Sequence, residues 1–321
     1  ATHSHAAPDF IGGWGFVPDW YMAQVTDTIK KTVKQAVLAA QPARLTAGEV
    51  EARRQNSERR DTYRSAEEQQ LGWLRAVDRK GHAIATIGAY AAHPTTKGNN
   101  GGIASADWPG LFAKTLEERD GGIAMHLQTG LGNISASGGT AIGTQLAALV
   151  PTSGGRPIDG TLRLARTTFR SALTNVPLDA LGTPGFFDRK FDAQPVAVSV
   201  GENPNAPCAS ASAQSVELPL TVASLGDWVL TTGPGEEFSN LSNTIKEKNT
   251  DAVVFPVSQA NDALGYMPQS FELNPVGQQG LGFALGGYVF VNYEDSYAVD
   301  RCVGDLALET TLTALNTLQK G

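Results

Sequence analysis

Gly88-Ala89-Tyr90-Ala91-Ala92-His93-Pro94-Thr95-Thr96 closes an apolar run that begins at Ala83. A run of that kind, climbing to one histidine and broken by a proline and two threonines, predicts a buried strand with His93 at its tip. Pro94 keeps His93 out of the helical region and fixes how the chain leaves the strand. Two readings of His93 stand open on these residues: a strand-end imidazole bonded to backbone, or the edge of a site.

Upstream, Leu71 to Val77 and the turn Asp78-Arg79-Lys80-Gly81 pair with this run as a β-hairpin, and Arg44 to Val50 predicts a further short strand. Between them lies the arginine-rich stretch Glu51 to Glu68, which reads, for most of its charges, as a solvated loop. Before that, Pro18 and Asp19 lead into a helix of about two dozen residues, in which Val25, Ile29, Val33 and Val37 recur every four positions opposite Lys30, Lys31 and Lys34, until Pro42.

Downstream of His93, Asn99 to Gly102 is a loop. Asp107-Trp108-Pro109 opens a short amphipathic helix, with Asp107 as N-cap, that Gly121 and Gly122 stop. Ile123 to Leu127 is a strand, followed by the glycine-rich turn Gly130 to Ser135. That turn is no phosphate loop, because no Gly-Lys-Ser/Thr closes it, and no nucleophile elbow, because Gly-x-Ser-x-Gly is absent. Leu162 to Leu173, Asn240 to Lys248 and Val303 to Leu318 read as helices. Phe186-Phe187, Pro195 to Val200, Val216 to Val222, Trp228 to Thr232 and Asp251 to Val257 read as strands. No internal repeat is present. Such alternation predicts an α/β or mixed α+β fold, with mixed sheets flanked by helices.

Composition bounds the function. The 321 residues are 41% hydrophobic and 18% charged, in the range of soluble globular chains. No stretch has the uninterrupted apolar length of a membrane span. A net charge of −7 argues against sequence-independent nucleic-acid binding. Low charge and 35 glycines suit a secreted, bacterial-type enzyme. Cys208 and Cys302 fit either one disulfide in an oxidising compartment or two buried thiols. Ala1-Thr2-His3-Ser4-His5 offers neither initiator methionine nor lead-in, which reads as a start inside a domain.

Collected together, the polar residues after the apolar runs are His3 and His5, His93, Ser135, Glu236 or Glu237, and Tyr266. In α/β folds the loops after strands build the site. Two or three imidazoles with a carboxylate make a zinc set, and a catalytic zinc keeps one position for water. No His-Glu-x-x-His helix is present, so such a site must be assembled from distant parts of the chain.

The order of these pieces resembles the neutral/alkaline (non-lysosomal) ceramidases. Ala1 to Pro8 is similar to their Thr-His-Thr-His-Ser-Gly-Pro motif, and Ala91 to Thr96 to their His-Pro-Thr segment. Ser105 to Gly110 is similar to Ser-x-Asp-x-x-Gly, and Gly132-Asn133-Ile134-Ser135 to Gly-Asp-Val-Ser-Pro-Asn. Gly233-Pro234-Gly235-Glu236 resembles Pro-Gly-Glu-Phe-Thr, Asn261 to Tyr266 resembles Asn-x-Tyr-x-x-Tyr, and Tyr293-Glu294 a later Tyr-Glu pair. The likeness runs from residue 1 to about residue 300, without the family's opening segment and without room for its immunoglobulin-like C-terminal domain. It implies a single ceramidase-like catalytic domain over 1–321.

The resemblance implies that His3, His93, Glu236 and Tyr266 ligate Zn2+, with Glu237 the alternative to Glu236. It implies that His5, Tyr293 and an arginine bind the polarised carbonyl oxygen. Arg53 or Arg54 is the nearest match for that arginine, with Arg59 and Arg60 as alternatives. Ser135 matches a serine sometimes assigned to catalysis and is read here as lining the site. Departures stand at Asn133, where the family has aspartate, at Ala136-Ser137, and at Ala263, where it has tyrosine. The implied activity is hydrolysis of the N-acyl amide of ceramide-like lipids to fatty acid and sphingoid base, by a secreted or periplasmic enzyme at a membrane or micelle surface. A zinc hydrolase acting on a smaller, more polar amide or ester is the rival enzyme reading. A metal-free binding module on the same fold, or a fragment needing its missing strand, are the others. His82 and His126 read as ordinary surface or core histidines.

Overall fold

The computed structural model describes residues 2–8, 10, 17–60, 67–98, 103–182, 191–201, 207–273 and 293–320. Helix α1, Asp19–Leu38, precedes strand β1, Arg44–Glu51. A short strand β2, Asn56–Glu58, leads to the hairpin of β3, Gln70–Val77, and β4, Ala83–Tyr90. The hairpin pairs Trp73 with Gly88 and Leu74 with Ile87. Its turn is held by the Asp78 carboxylate, which accepts from the backbone N–H of Lys80 and His82.

Helix α2, Asp107–Asp120, crosses over from β4 to β5, Ile123–Gln128, which runs parallel to β4. Then come β6, Ile134–Ala136; α3, Ile142–Leu149; and β7, Arg156–Ile158. The first sheet has the order β5-β4-β3-β1-β7. The second is built from β8, Leu162–Ala172; β11, Ser215–Leu225; β12, Trp228–Thr232; and β14, Val253–Val257, in the order β14-β12-β11-β8. Between its members lie α4, Val176–Gly182, and the ribbon of β9, Val196–Val200, with β10, Cys208–Ser212. The short β13, Glu236–Glu237, and α5, Ser239–Glu247, connect β12 to its parallel neighbour β14. Strand β15, Tyr266–Met267, and the last helix α6, Val303–Lys320, complete the described elements.

Strand alternation assigns each face to one core. Leu71, Trp73 and Tyr90 pack outward against Trp108, Phe112 and Leu116 of α2 and Ile142 and Leu146 of α3. The opposite residues, Leu74, Ile87 and Ala89, meet Trp228, Leu230 and Phe255 of the second sheet. That sheet's other face, including Leu218, Leu220 and Val254, is covered by Leu241 and Ile245 of α5 and by Val303, Ala307 and Leu315 of α6. The result is four layers, helix–sheet–sheet–helix. Two glycines let the layers close. A Cβ at Gly88 would lie 2.3 Å from the Phe112 ring, and one at Gly72 would lie 2.6 Å from the Phe255 ring.

The mixed α+β expectation therefore holds, with particular corrections. Leu162 to Leu173 is a strand, not a helix. Arg163, Arg166 and Arg170 imitate a helical face, but the register opposite β11, with Phe169 facing the core, follows a period of two. The stretch after Glu51 is not wholly solvated: Arg60 and Glu68 are buried. The Phe186-Phe187 expectation lies outside the described residues. Among the described residues no helix is long and apolar enough to cross a membrane.

Cys208 and Cys302 are joined in a disulfide that ties the β9–β10 ribbon to the start of α6 across 94 residues of sequence. Closing so long a loop in the unfolded chain is worth on the order of 4 kcal/mol. The Cys302→Ser variant is expected to lose about 3–4 kcal/mol of unfolding free energy in denaturant titration, and reduction of the wild type to lose a similar amount. Equal midpoints before and after reduction would contradict this.

Candidate metal centre

Each sheet carries one parallel pair joined by a helix, β4–α2–β5 and β12–α5–β14, and the chain leaving the carboxyl ends of these strands forms one cluster. His93 follows β4 and is fully buried. Its backbone N–H and its ring Nδ1 both reach the Ile134 carbonyl, at 3.0 and 2.9 Å. Donation from Nδ1 leaves Nε2 as a bare acceptor. That nitrogen lies 3.0 Å from Glu236 Oε2.

His3 and His5 arrive on the N-terminal segment, which is laid over the same strand end. His5 N–H donates to the Pro94 carbonyl at 3.1 Å, Ser4 Oγ to Ser105 O at 2.6 Å, and Gln128 Nε2 to Thr2 O at 3.0 Å. His3 has φ +60°, a strained value for a non-glycine residue. His3 Nε2 stands 3.2 Å from His5 Nε2 and 3.5 Å from Glu236 Oε1. One ligand atom from each of His3, His5 and His93 falls within a 4.8 Å group.

Parallel pairing of Glu236 with Tyr266 puts both side chains on the cluster's face. Arg59 Nη2 donates to the Tyr266 hydroxyl at 3.2 Å and to Gly132 O at 2.9 Å, while its Nε donates to Glu294 Oε1 at 2.6 Å.

Burial sets the electrostatics. It lowers His3 to about 4, against the pull of Glu236, and lowers His5 and, further, His93. All three imidazoles are therefore neutral near pH 7, the form that ligates. Burial raises Glu236, opposed by His3 and Arg59. Burial also works against the Arg59 charge, but Tyr266, Glu294 and Glu236 overcome it and raise its pKa.

The donor set fits a zinc ion. A tetrahedron with arms of about 2.0–2.1 Å has edges of about 3.3–3.4 Å. His93 Nε2 lies 3.0 Å from Glu236 Oε2 and His3 Nε2 lies 3.5 Å from the other carboxylate oxygen, Oε1, so the carboxylate stands between the two imidazoles at ligand-to-ligand range. An acceptor nitrogen facing a carboxylate at such a distance is satisfied by a proton between the two or by a cation beside them.

No protein-family model and no curated protein matches the chain. Solved structures do. A ceramidase complexed with C2 superposes with a TM-score of 0.64 at 17% identity, over 89% of this chain and 55% of that one. The neutral ceramidase from Pseudomonas aeruginosa superposes with a TM-score of 0.66 at 16% identity, over 92% of this chain and 55% of that one. The chain has the ceramidase fold. It spans about half the length of these two structures.

On this ceramidase fold the sequence candidates separate. His3, His5, His93, Glu236 and Tyr266 come together. Arg53 does not join them: its side chain is 68% exposed and pairs with Glu51 at the surface. Arg59 reaches the cluster instead, because β2 pairs with β6 and carries the chain alongside His93. Glu237, one residue beyond Glu236, points to the opposite side. It is buried near Glu68, and burial with that neighbouring charge pushes it up to about 8. Ser135 pairs through its backbone with Ser57 and bridges to His93, and is half-buried. Tyr293 opens the 3-10 turn Tyr293–Tyr297, and its side chain lies outside the described residues.

Asn133, the departure from the family's aspartate, is engaged with helix α5. Its Nδ2 donates to Ser239 Oγ at 3.0 Å and its Oδ1 accepts the Ser239 N–H at 2.8 Å. Ala106, not Asp107, stands at the N-cap of α2, with no side-chain capping bond, and Asp107 is the first residue of the helix. The Asp107 carboxylate accepts from Thr96 Oγ1 at 2.6 Å and from Lys97 N–H at 2.8 Å, clamping the loop after His93. It does so with φ +53°. The Asp-Trp-Pro signal marks where the helix starts; the clamp on Thr96 carries no local signal. His82 is exposed beside Asp78, and His126 is buried against Trp108 with ring centroids 4.5 Å apart.

Proposed function

We propose that residues 1–321 form a single catalytic unit, a zinc-dependent amidohydrolase that cleaves the N-acyl amide of ceramide-like lipids to fatty acid and sphingoid base. The observation that carries this reading is the convergence of His3, His93 and Glu236, with spacings of 3.0 and 3.5 Å, at the strand ends of a ceramidase fold. His3, His93, Glu236 and Tyr266 would hold the ion. Zinc bound there supplies Lewis acidity and an activated water.

The chain's own residues do the rest. His93 is held in one tautomer by the Ile134 carbonyl, so its Nε2 stays available at the cluster. His5, more exposed than His3, meets the substrate carbonyl oxygen from the N-terminal side. Arg59, anchored by Glu294, brings fixed positive charge to the side where negative charge develops on that oxygen. Tyr293 is assigned a further hydrogen bond there, and Ser135 lines the site. Secretion or a periplasmic location accords with the Cys208–Cys302 disulfide.

The test is hydrolysis by the purified chain of a long-chain ceramide beside a short, polar N-acyl amide. Zinc-dependent release of fatty acid from the ceramide, at a higher kcat/KM than for the short amide, is expected. Turnover of the short amide alone would move the chain to the rival substrate class. Zinc binding without turnover of either would make it a binding module.

A further inference from the structure

The lysine-bearing helix α1 presents an apolar stripe that nothing in the described fold covers. Met22, Val25, Ile29, Val33, Ala36 and Val37 fall on one side of the helix. None of its residues is buried: Ile29 and Val33 are each 58% exposed and Val37 is 69% exposed. An amphipathic helix of a globular fold ordinarily turns such a stripe into the core, and a stripe left in water marks an interaction surface.

Charge indicates what lies against it. The chain as a whole carries −7, yet after Asp27 the helix has no acidic residue and bears Lys30, Lys31 and Lys34. An apolar stripe flanked and backed by lysines, on a helix of modest overall hydrophobicity, is the composition of helices that lie in the plane of an anionic lipid surface. A second copy of the chain fits less well. A helix of 20 residues is about 30 Å long, and two such helices laid side by side reach at best the lower end of the ~1,200–2,000 Å² total that specific protein pairs bury. The helix is also joined to the site: it follows the His3–His5 segment within one short stretch of chain.

We infer that α1 is an interfacial docking helix, which seats its Met22–Val37 stripe in the headgroup region of an anionic bilayer and holds the metal centre at the surface where lipid substrates reside. The assignment of those substrates rests on the lipid-amidase reading; the docking does not.

The experiment is co-sedimentation of the full chain with phosphatidylcholine vesicles, alone and mixed with phosphatidylglycerol, beside hydrolysis of a micelle-free, short-chain N-acyl amide. Wild type is expected to sediment with the mixed vesicles and weakly with phosphatidylcholine alone. The Ile29→Glu/Val33→Glu double variant is expected to lose about tenfold or more of that partitioning. Because neither residue is buried, it should keep its far-UV spectrum and its turnover of the short amide. Lys30→Gln, Lys31→Gln and Lys34→Gln should each weaken binding to the mixed vesicles about fivefold and leave the phosphatidylcholine baseline unchanged. Absence of wild-type binding to the mixed vesicles overturns the inference, as does equal binding by the Ile29→Glu/Val33→Glu variant. A concentration-dependent dimer that the double variant abolishes would assign the stripe to a second copy instead. Binding without hydrolysis would defeat the enzymatic reading and leave the docking helix intact; hydrolysis without binding would do the reverse.

Discussion

The His93→Ala variant is expected to lose roughly a thousandfold or more of kcat/KM on ceramide and to lose its zinc with it. The reasoning is geometric. His93 sits between the sheet and the site, with Nδ1 spent on the Ile134 carbonyl and Nε2 3.0 Å from Glu236. Removing the ring takes away one of the proposed ligands and leaves Glu236, already disfavoured as an anion by burial, short of a partner. The ring is fully buried, so truncation also opens a cavity worth about 1–3 kcal/mol. A Glu236→Gln variant separates the two effects. It keeps the volume and the fold, yet it removes the charged ligand, and it should fall nearly as far in activity. Activity within tenfold of wild type for either variant would remove these residues from the chemistry.

Arg59→Met is expected to cost about a hundred- to a thousandfold in kcat with little change in zinc content. Its guanidinium contacts the Tyr266 hydroxyl, the Gly132 carbonyl and the Glu294 carboxylate. In the proposed mechanism, loss of that charge removes stabilisation of the developing oxyanion without removing a proposed ligand. It also leaves buried Glu294 with Arg60 Nε, at 3.9 Å, as its remaining cation among the described residues, a destabilisation of about 3 kcal/mol. The Arg59→Met/Glu294→Gln double variant is therefore the informative one. It should recover most of the stability and none of the turnover, measured by thermal unfolding and by initial rates. Turnover that returns together with stability would make Arg59 a structural residue only.

These two residues also show what a sequence of this kind discloses. The hairpin into His93 was legible because Leu71–Val77 and Ala83–Ala92 are apolar runs around a turn of Asp and Gly, signals carried by neighbouring residues. The sequence ranks Arg53 or Arg54 ahead of Arg59 or Arg60, because what buries Arg59 is far away in the chain. Its partner Glu294 is 235 positions distant, and so is Asp295, the partner of Arg60. Local composition describes that stretch as a solvated loop. Likewise Glu236 and Glu237 are equivalent as letters. They differ in the phase of a two-residue strand, which is fixed by pairing with Tyr266. Strand β8 was hidden by arginines at helical spacing on a sheet edge. The apolar period of α1 was read correctly as a helix, although its stripe stays in solvent. Helical period reports local geometry, and burial depends on what the rest of the fold offers.

His3, His93 and Glu236 are proposed to converge on a catalytic zinc. The most direct test is metal content by elemental analysis of the purified chain, wild type beside His93→Ala, after dialysis against zinc and then against metal-free buffer. Close to one zinc per wild-type chain is expected, removable by chelator with loss of activity and restored by added zinc, and almost none in His93→Ala. A wild-type chain that retains no zinc, or a His93→Ala chain that retains as much, would contradict this assignment.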